Sequence, residues 1–225
     1  MNQTILAILV LFGLVVGIYT IFYFIQKSDD STGVVIVLNG PSGSGKSSIQ
    51  REFQTLMMPK LWVKLGIDNL FDKPMPDITH ENLTFWQSTN PIRWVTTTKD
   101  INDKVLVTLF TGEEGEKVAY GMNNAIVGYA QAGCHCIIDY IAYKKTWIND
   151  LRTRLTGIKT YWIKIELPLD VLEEREQARA TSPVGHGRSH YDTVYADMKY
   201  DLVLDTSKLT PIECAQKIKA LISAC

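Results

Sequence analysis

Hydrophobic patterning divides the chain sharply. Residues 1–26 carry no Asp, Glu, Lys or Arg, and 5–25 (ILAILVLFGLVVGIYTIFYFI) are apolar except for Gly13, Gly17, Thr20 and two tyrosines. At about 1.5 Å of rise per residue, such a helix spans roughly the 30 Å hydrocarbon core of a bilayer. A secretory signal would open on basic residues and close on small ones, and a core helix would keep a polar stripe. The pattern therefore predicts one transmembrane anchor over residues 1–27, with Tyr19 and Tyr23 near a headgroup level, and a polar linker over 28–33. The expected protein is single-pass, with the domain of residues 34–225 in the cytoplasm, an orientation that Lys27 encodes weakly.

Past the linker the period changes. Val34–Asn39 (VVIVLN), Leu61–Ile67, Cys134–Asp139, Tyr161–Glu166 and Leu202–Leu204 are short β-branched or apolar runs, which suit strands buried on both faces. Between them, Lys46–Met58, Glu116–Ala132, Trp147–Leu155 and Leu169–Arg179 read as helices, with Gly133 suited to stop the second. Thr210-Pro211-Ile212-Glu213 is a capping box with proline at the first helical position, so a last helix is expected to about Ser223. Pro74 and Pro76 open a less regular insert, in which Ile92–Thr97 and Val105–Phe110 predict a hairpin. Strands alternating with helices imply a three-layer α/β sandwich around a parallel sheet.

Composition narrows the function classes. With 23 basic and 24 acidic side chains in 225 residues the net charge is −1, so nothing draws the chain as a whole to nucleic acid, and no such partner is expected. Cys134, Cys136, Cys214 and Cys225 match no zinc-ligand spacing, and a reduced compartment is expected. Alternation along a strand points Cys134 and Cys136 to one face and His135 to the other, against a shared metal.

The chemistry concentrates at Gly40-Pro41-Ser42-Gly43-Ser44-Gly45-Lys46-Ser47, a phosphate-binding P-loop followed by Ser48. Glycines let the backbone curl so that successive N–H groups point at phosphate oxygens, and the helix N-terminus adds partial positive charge. Lys46 would reach the β- and γ-phosphates, and the Ser47 hydroxyl would join a magnesium shell. The context, a buried strand before and a helix after, is the one that supports the motif.

Four features favour a small-molecule kinase over other P-loop proteins. Asp68 lies 22 residues past Lys46 at the C-terminal edge of a strand, where it could take a proton from an attacking hydroxyl or simply cap the turn starting at Asn69. Asp139 closes another strand, either as a magnesium partner or as an ordinary turn acid. Arg175 and Arg179 share a helix face and precede a Gly-rich segment, 180–190, that contains Arg188. That reads as a mobile lid placing guanidinium groups over phosphate, or as a solvated helix and loop. The Asn-Lys-x-Asp string by which many GTPases read guanine is missing.

Taken in order, VIVLNGPSGSGKSS, LGIDNLF, AGCHCIID, REQAR and YDLVLDTSKLTPIECAQKI resemble the chloramphenicol phosphotransferase-like family of P-loop kinases over residues 34–222. The resemblance implies Asp68 as the base that activates an acceptor hydroxyl, with Arg175 and Arg179 embracing the nucleotide. Two positions depart from the family pattern: Tyr140 follows Asp139 where a second acid is common, and Ser182 replaces an arginine, for which Arg188 could substitute. The expected activity is ATP- and magnesium-dependent phosphorylation of a small hydroxylated acceptor, chloramphenicol or a related compound among them. A kinase of nucleotides or nucleotide sugars, and a tethered nucleotide binder without transfer, are the alternatives.

Overall fold

The structure, a computed structural model, describes residues 32–224 except 98, 100–102, 180–181 and 196–197. Five strands form one parallel sheet: β1 (Val35–Asn39), β2 (Trp62–Gly66), β5 (His135–Tyr140), β6 (Thr160–Glu166) and β7 (Leu202–Asp205), in the spatial order β2-β5-β1-β6-β7. The hairpin β3 (Ile92–Thr97) and β4 (Leu106–Thr111) forms a separate antiparallel pair, as the insert's pattern predicts.

Each central strand is apolar on both sides because each side meets helices. Val35 and Val37 join Met122 and Ile126 of α3 (Glu113–Gln131) and Trp147 and Leu151 of α4 (Lys145–Arg154). Ile36 and Leu38 turn the other way, to Ile49 and Phe53 of α1 (Lys46–Met57) and Ile218 of α7 (Pro211–Ser223). The same alternation separates Cys134 and Cys136 from His135, which stacks on Trp62. At the head of α7 the reciprocal capping box of Thr210 and Glu213 is formed.

Three elements depart from the sequence expectations. A single π-helical turn, Asp68–Asp72, follows β2, and a short helix α2 (Leu83–Gln87) interrupts the insert. The segment after α5 (Leu169–Arg179) contains a third, α6 (His186–His190), packed against β4.

The membrane placement also needs correction. The longest described helix, α3, has 19 residues, carries Glu113, Glu114 and Glu116 in its first turn, and buries one face in the core. Among the described residues no helix is long and apolar enough to cross a membrane. The single-pass localisation is therefore not supported, and the anchor of residues 1–27 lies outside the described residues.

Candidate active site

The parallel sheet places its chemistry on one edge. Asp139 of β5 is in register with Leu38 of β1 on one side and Gly66 of β2 on the other. The loop leaving β1 and the turn leaving β2 therefore emerge on either side of Asp139, over the crevice at the strands' C-terminal ends.

Gly43 and Gly45 adopt φ of 82° and 91°, the left-handed backbone that curls the P-loop and that a side chain would strain. Lys46 is only 4% exposed. Its Nζ donates to the carbonyls of Gly40 (2.9 Å) and Pro41 (2.8 Å) and lies 3.4 Å from Asp139 Oδ1. Burial pushes the ammonium below its ordinary value; Asp139 and Asp68 oppose that shift, and Arg179 adds to it.

Ser47 Oγ donates to Asp139 Oδ2 at 2.7 Å, whereas buried Asp139 Oδ1 receives no hydrogen bond. A carboxylate oxygen that faces only the Lys46 ammonium, at 3.4 Å, beside a serine hydroxyl is a hard-oxygen set that fits magnesium. Among the described residues no group of three or more His, Cys, Asp or Glu could hold a metal. The ion would therefore complete its shell with phosphate oxygens and waters.

Asp68 opens the turn after β2, so its carboxylate does not cap that turn. It is exposed, yet partial burial, then Asp139 and Asp72, raise its pKa above the ordinary value, while Lys46 and Lys73 pull it down. Asp68 and Lys46 thus lie within each other's fields.

Arg175 and Arg179 line a cavity of about 510 Å³ with Gly43, Gly45, Thr206 and Pro211. Arg175 Nη1 donates to Thr206 Oγ1 (3.1 Å) and Nη2 to Thr206 O (2.7 Å), and Thr206 Oγ1 donates to Ser44 O (3.0 Å). Arg179 is exposed at the rim. Arg188 instead pairs with Glu173 of α5.

Several residues escaped the sequence reading. Buried Glu176 accepts the backbone N–H groups of Gly185 (2.8 Å) and Gly187 (2.7 Å), which holds α6 down. His186 bridges Val107 O (3.2 Å) and the Tyr143 hydroxyl (2.9 Å), with Trp94 edge-on at 4.2 Å. His190 Nε2 accepts the Ser42 N–H at 3.1 Å. Only Glu176, inside REQAR, left a sequence signal; the rest meet through tertiary contacts.

A sequence model described as "Chloramphenicol phosphotransferase-like protein" matches residues 33–223. The chain belongs to that family. Within the family framework, the departure at Tyr140 has a structural account: its side chain is buried away from Asp139, with the hydroxyl on Asn123 Oδ1 of α3 at 3.2 Å. A Mycobacterium tuberculosis protein (strain H37Rv) named "Putative O-phosphotransferase" is 25% identical over 202 residues, covering 86% of this chain and 84% of its own. Among solved structures, an APS kinase of M. tuberculosis in complex with AMPPNP and APS aligns at TM-score 0.57 and 18% identity, over 85% of this chain and 98% of that one. A sugar kinase from Janibacter sp. aligns at 0.54 and 19%, over 85% and 95%. A shikimate kinase from Acinetobacter baumannii with shikimate aligns at 0.51 and 12%, over 88% and 97%. The shared fold is that of P-loop kinases, and family and fold together make this chain a P-loop kinase-like phosphotransferase.

Proposed function

We propose that the protein transfers the γ-phosphoryl group of ATP to the hydroxyl of a small molecule. The observation that carries this reading is one crevice holding Lys46, the Ser47–Asp139 pair and Asp68 on three neighbouring strand ends. The P-loop amides from Ser42 to Ser48 would hold the phosphates, and Lys46 would exchange the Gly40 and Pro41 carbonyls for phosphate oxygens. The cavity between Arg175, Arg179 and Pro211 would take the nucleoside. Ser47 and Asp139 would hold magnesium, which when bound neutralises phosphate charge.

Asp68 would orient the acceptor hydroxyl and accept its proton as the oxygen attacks phosphorus and the bond to the ADP oxygen breaks. Its raised pKa, a consequence of burial and of Asp139, makes it a better base than an ordinary aspartate. Arg179 would offset charge on the moving phosphoryl, and most of the acceleration would come from positioning and electrostatics.

The test is incubation with γ-labelled ATP, magnesium and a panel of small alcohols, chloramphenicol included. Label is expected in an alcohol phosphate. ATP binding without label in any alcohol, nucleotide or sugar would replace this reading with that of a nucleotide binder.

A further inference from the structure

The P-loop is not open on all sides. Helix α6 lies against it, with Gly187 so close that a Cβ there would sit 3.3 Å from Ser42 O and 3.0 Å from Leu172. Gly185, at φ 91°, starts that helix where a Cβ would come within 2.2 Å of Val105 O. This backbone fit carries one side chain onto the phosphate loop. His190, 5% exposed, directs Nε2 at the Ser42 N–H. Because Nε2 accepts that hydrogen bond, the ring proton resides on Nδ1.

Ser42 N–H is one of the loop's backbone donors, a group that a P-loop offers to phosphate. The charged and titratable groups that face His190 are Lys46 from α1, Tyr143 from the loop after β5, and His186 from its own helix. The imidazole lies within the field of the Lys46 ammonium, the group that a P-loop directs at β- and γ-phosphates. Burial first, then His186 and Lys46, keep His190 neutral in this state. A terminal phosphate at the loop would bring anionic oxygen against the Nε2 lone pair, which is repulsive unless the ring gains a proton.

We propose that His190 is a further catalytic residue, which exchanges the Ser42 N–H for an oxygen of the terminal phosphate of a bound nucleoside triphosphate. In the exchange Nε2 takes a proton from the buffer acid in solvent, leaving the buffer's conjugate base, and donates it as a hydrogen bond to that oxygen, while the Ser42 N–H turns to phosphate. His190 thereby ties the docking of α6 to the presence of the third phosphate and adds positive charge beside Lys46. This inference rests on the phosphotransferase reading, since it needs a triphosphate in the loop.

The experiment is titration calorimetry of the full chain with ADP and with AMPPNP, in magnesium, at pH 7.5 and in buffers of different ionisation enthalpy. His190→Gln is run in parallel. ADP affinity close to wild type shows that the variant is folded, and the wild-type-minus-variant difference cancels protonation of the analogue itself. Wild type is expected to take up more protons than the variant on binding AMPPNP, by up to about one per site, with no such excess for ADP. The preference for AMPPNP over ADP should fall roughly 10- to 100-fold in His190→Gln, the range for a lost charged hydrogen bond. Equal proton uptake and equal preference would overturn the role of His190 and leave the phosphotransferase reading standing. Failure of wild type to bind either nucleotide would overturn both.

Discussion

At the scale of the residue, the proposed chemistry is divided between Asp68 and Lys46. Asp68 is exposed at the mouth of the crevice, whereas Lys46 is buried on the carbonyls of its own loop. Removing the Asp68 charge should therefore spare nucleotide binding and impair transfer. Asp68→Asn is expected to bind ATP like wild type and to transfer phosphoryl about 10²- to 10⁴-fold more slowly. Single-turnover kinetics with labelled ATP checks this, and transfer at the wild-type rate would remove Asp68 from the mechanism. Both residues were legible in the sequence, because a P-loop fixes its lysine and a strand end fixes the acid. His190 was not, because it reaches Ser42 from 148 positions away.

At the scale of the element, the segment after α5 is where sequence expectation and structure differ most. A Gly-rich run reads as a mobile lid, yet buried Glu176 fastens it through two backbone N–H groups. Glu176→Ala leaves both donors without their acceptor, at about 1–3 kcal/mol each if they stay buried. Faster hydrogen exchange over residues 182–190 and a lower Tm are expected, and unchanged exchange would show that α6 is held by other contacts. His186 adds a dependence on pH. Burial depresses its pKa to about 4 from an ordinary 6.5, so the undocked segment binds more protons than the docked one across that interval. Docking stability is therefore present above pH 6.5 and is lost as pH falls toward 4. Trp94 meets the His186 ring edge-on, so the fluorescence difference between wild type and Trp94→Phe should change across that window. A flat difference would contradict it.

At the scale of the whole molecule, the sheet order gathers acids from separate strands around the crevice where the acceptor is proposed to sit. The Tyr143 phenol is pushed up by burial first, and then by Asp139, Asp68 and Asp72 together. A negative field of that kind disfavours an acceptor that already carries negative charge. Competition between a neutral alcohol and its carboxylate or phosphate analogue should favour the neutral one by at least about tenfold, a difference of about 1.4 kcal/mol. Preference for the anionic analogue would place the acceptor elsewhere.

The linear sequence determined the fold class, the buried strands, the P-loop, and the acids Asp68 and Asp139 at the ends of β2 and β5. Those depend on local period and turn chemistry, which a chain cannot hide. It also pointed to an anchor over residues 1–27, and no described helix supports a membrane span. Only the tertiary structure decided that Asp139 stands between β1 and β2, that Arg175 turns to Thr206 while Arg188 pairs with Glu173, and that α6 closes over the loop. Those contacts join residues far apart in the chain through close packing of backbones and burial of polar groups, and neither leaves a periodic trace in the sequence.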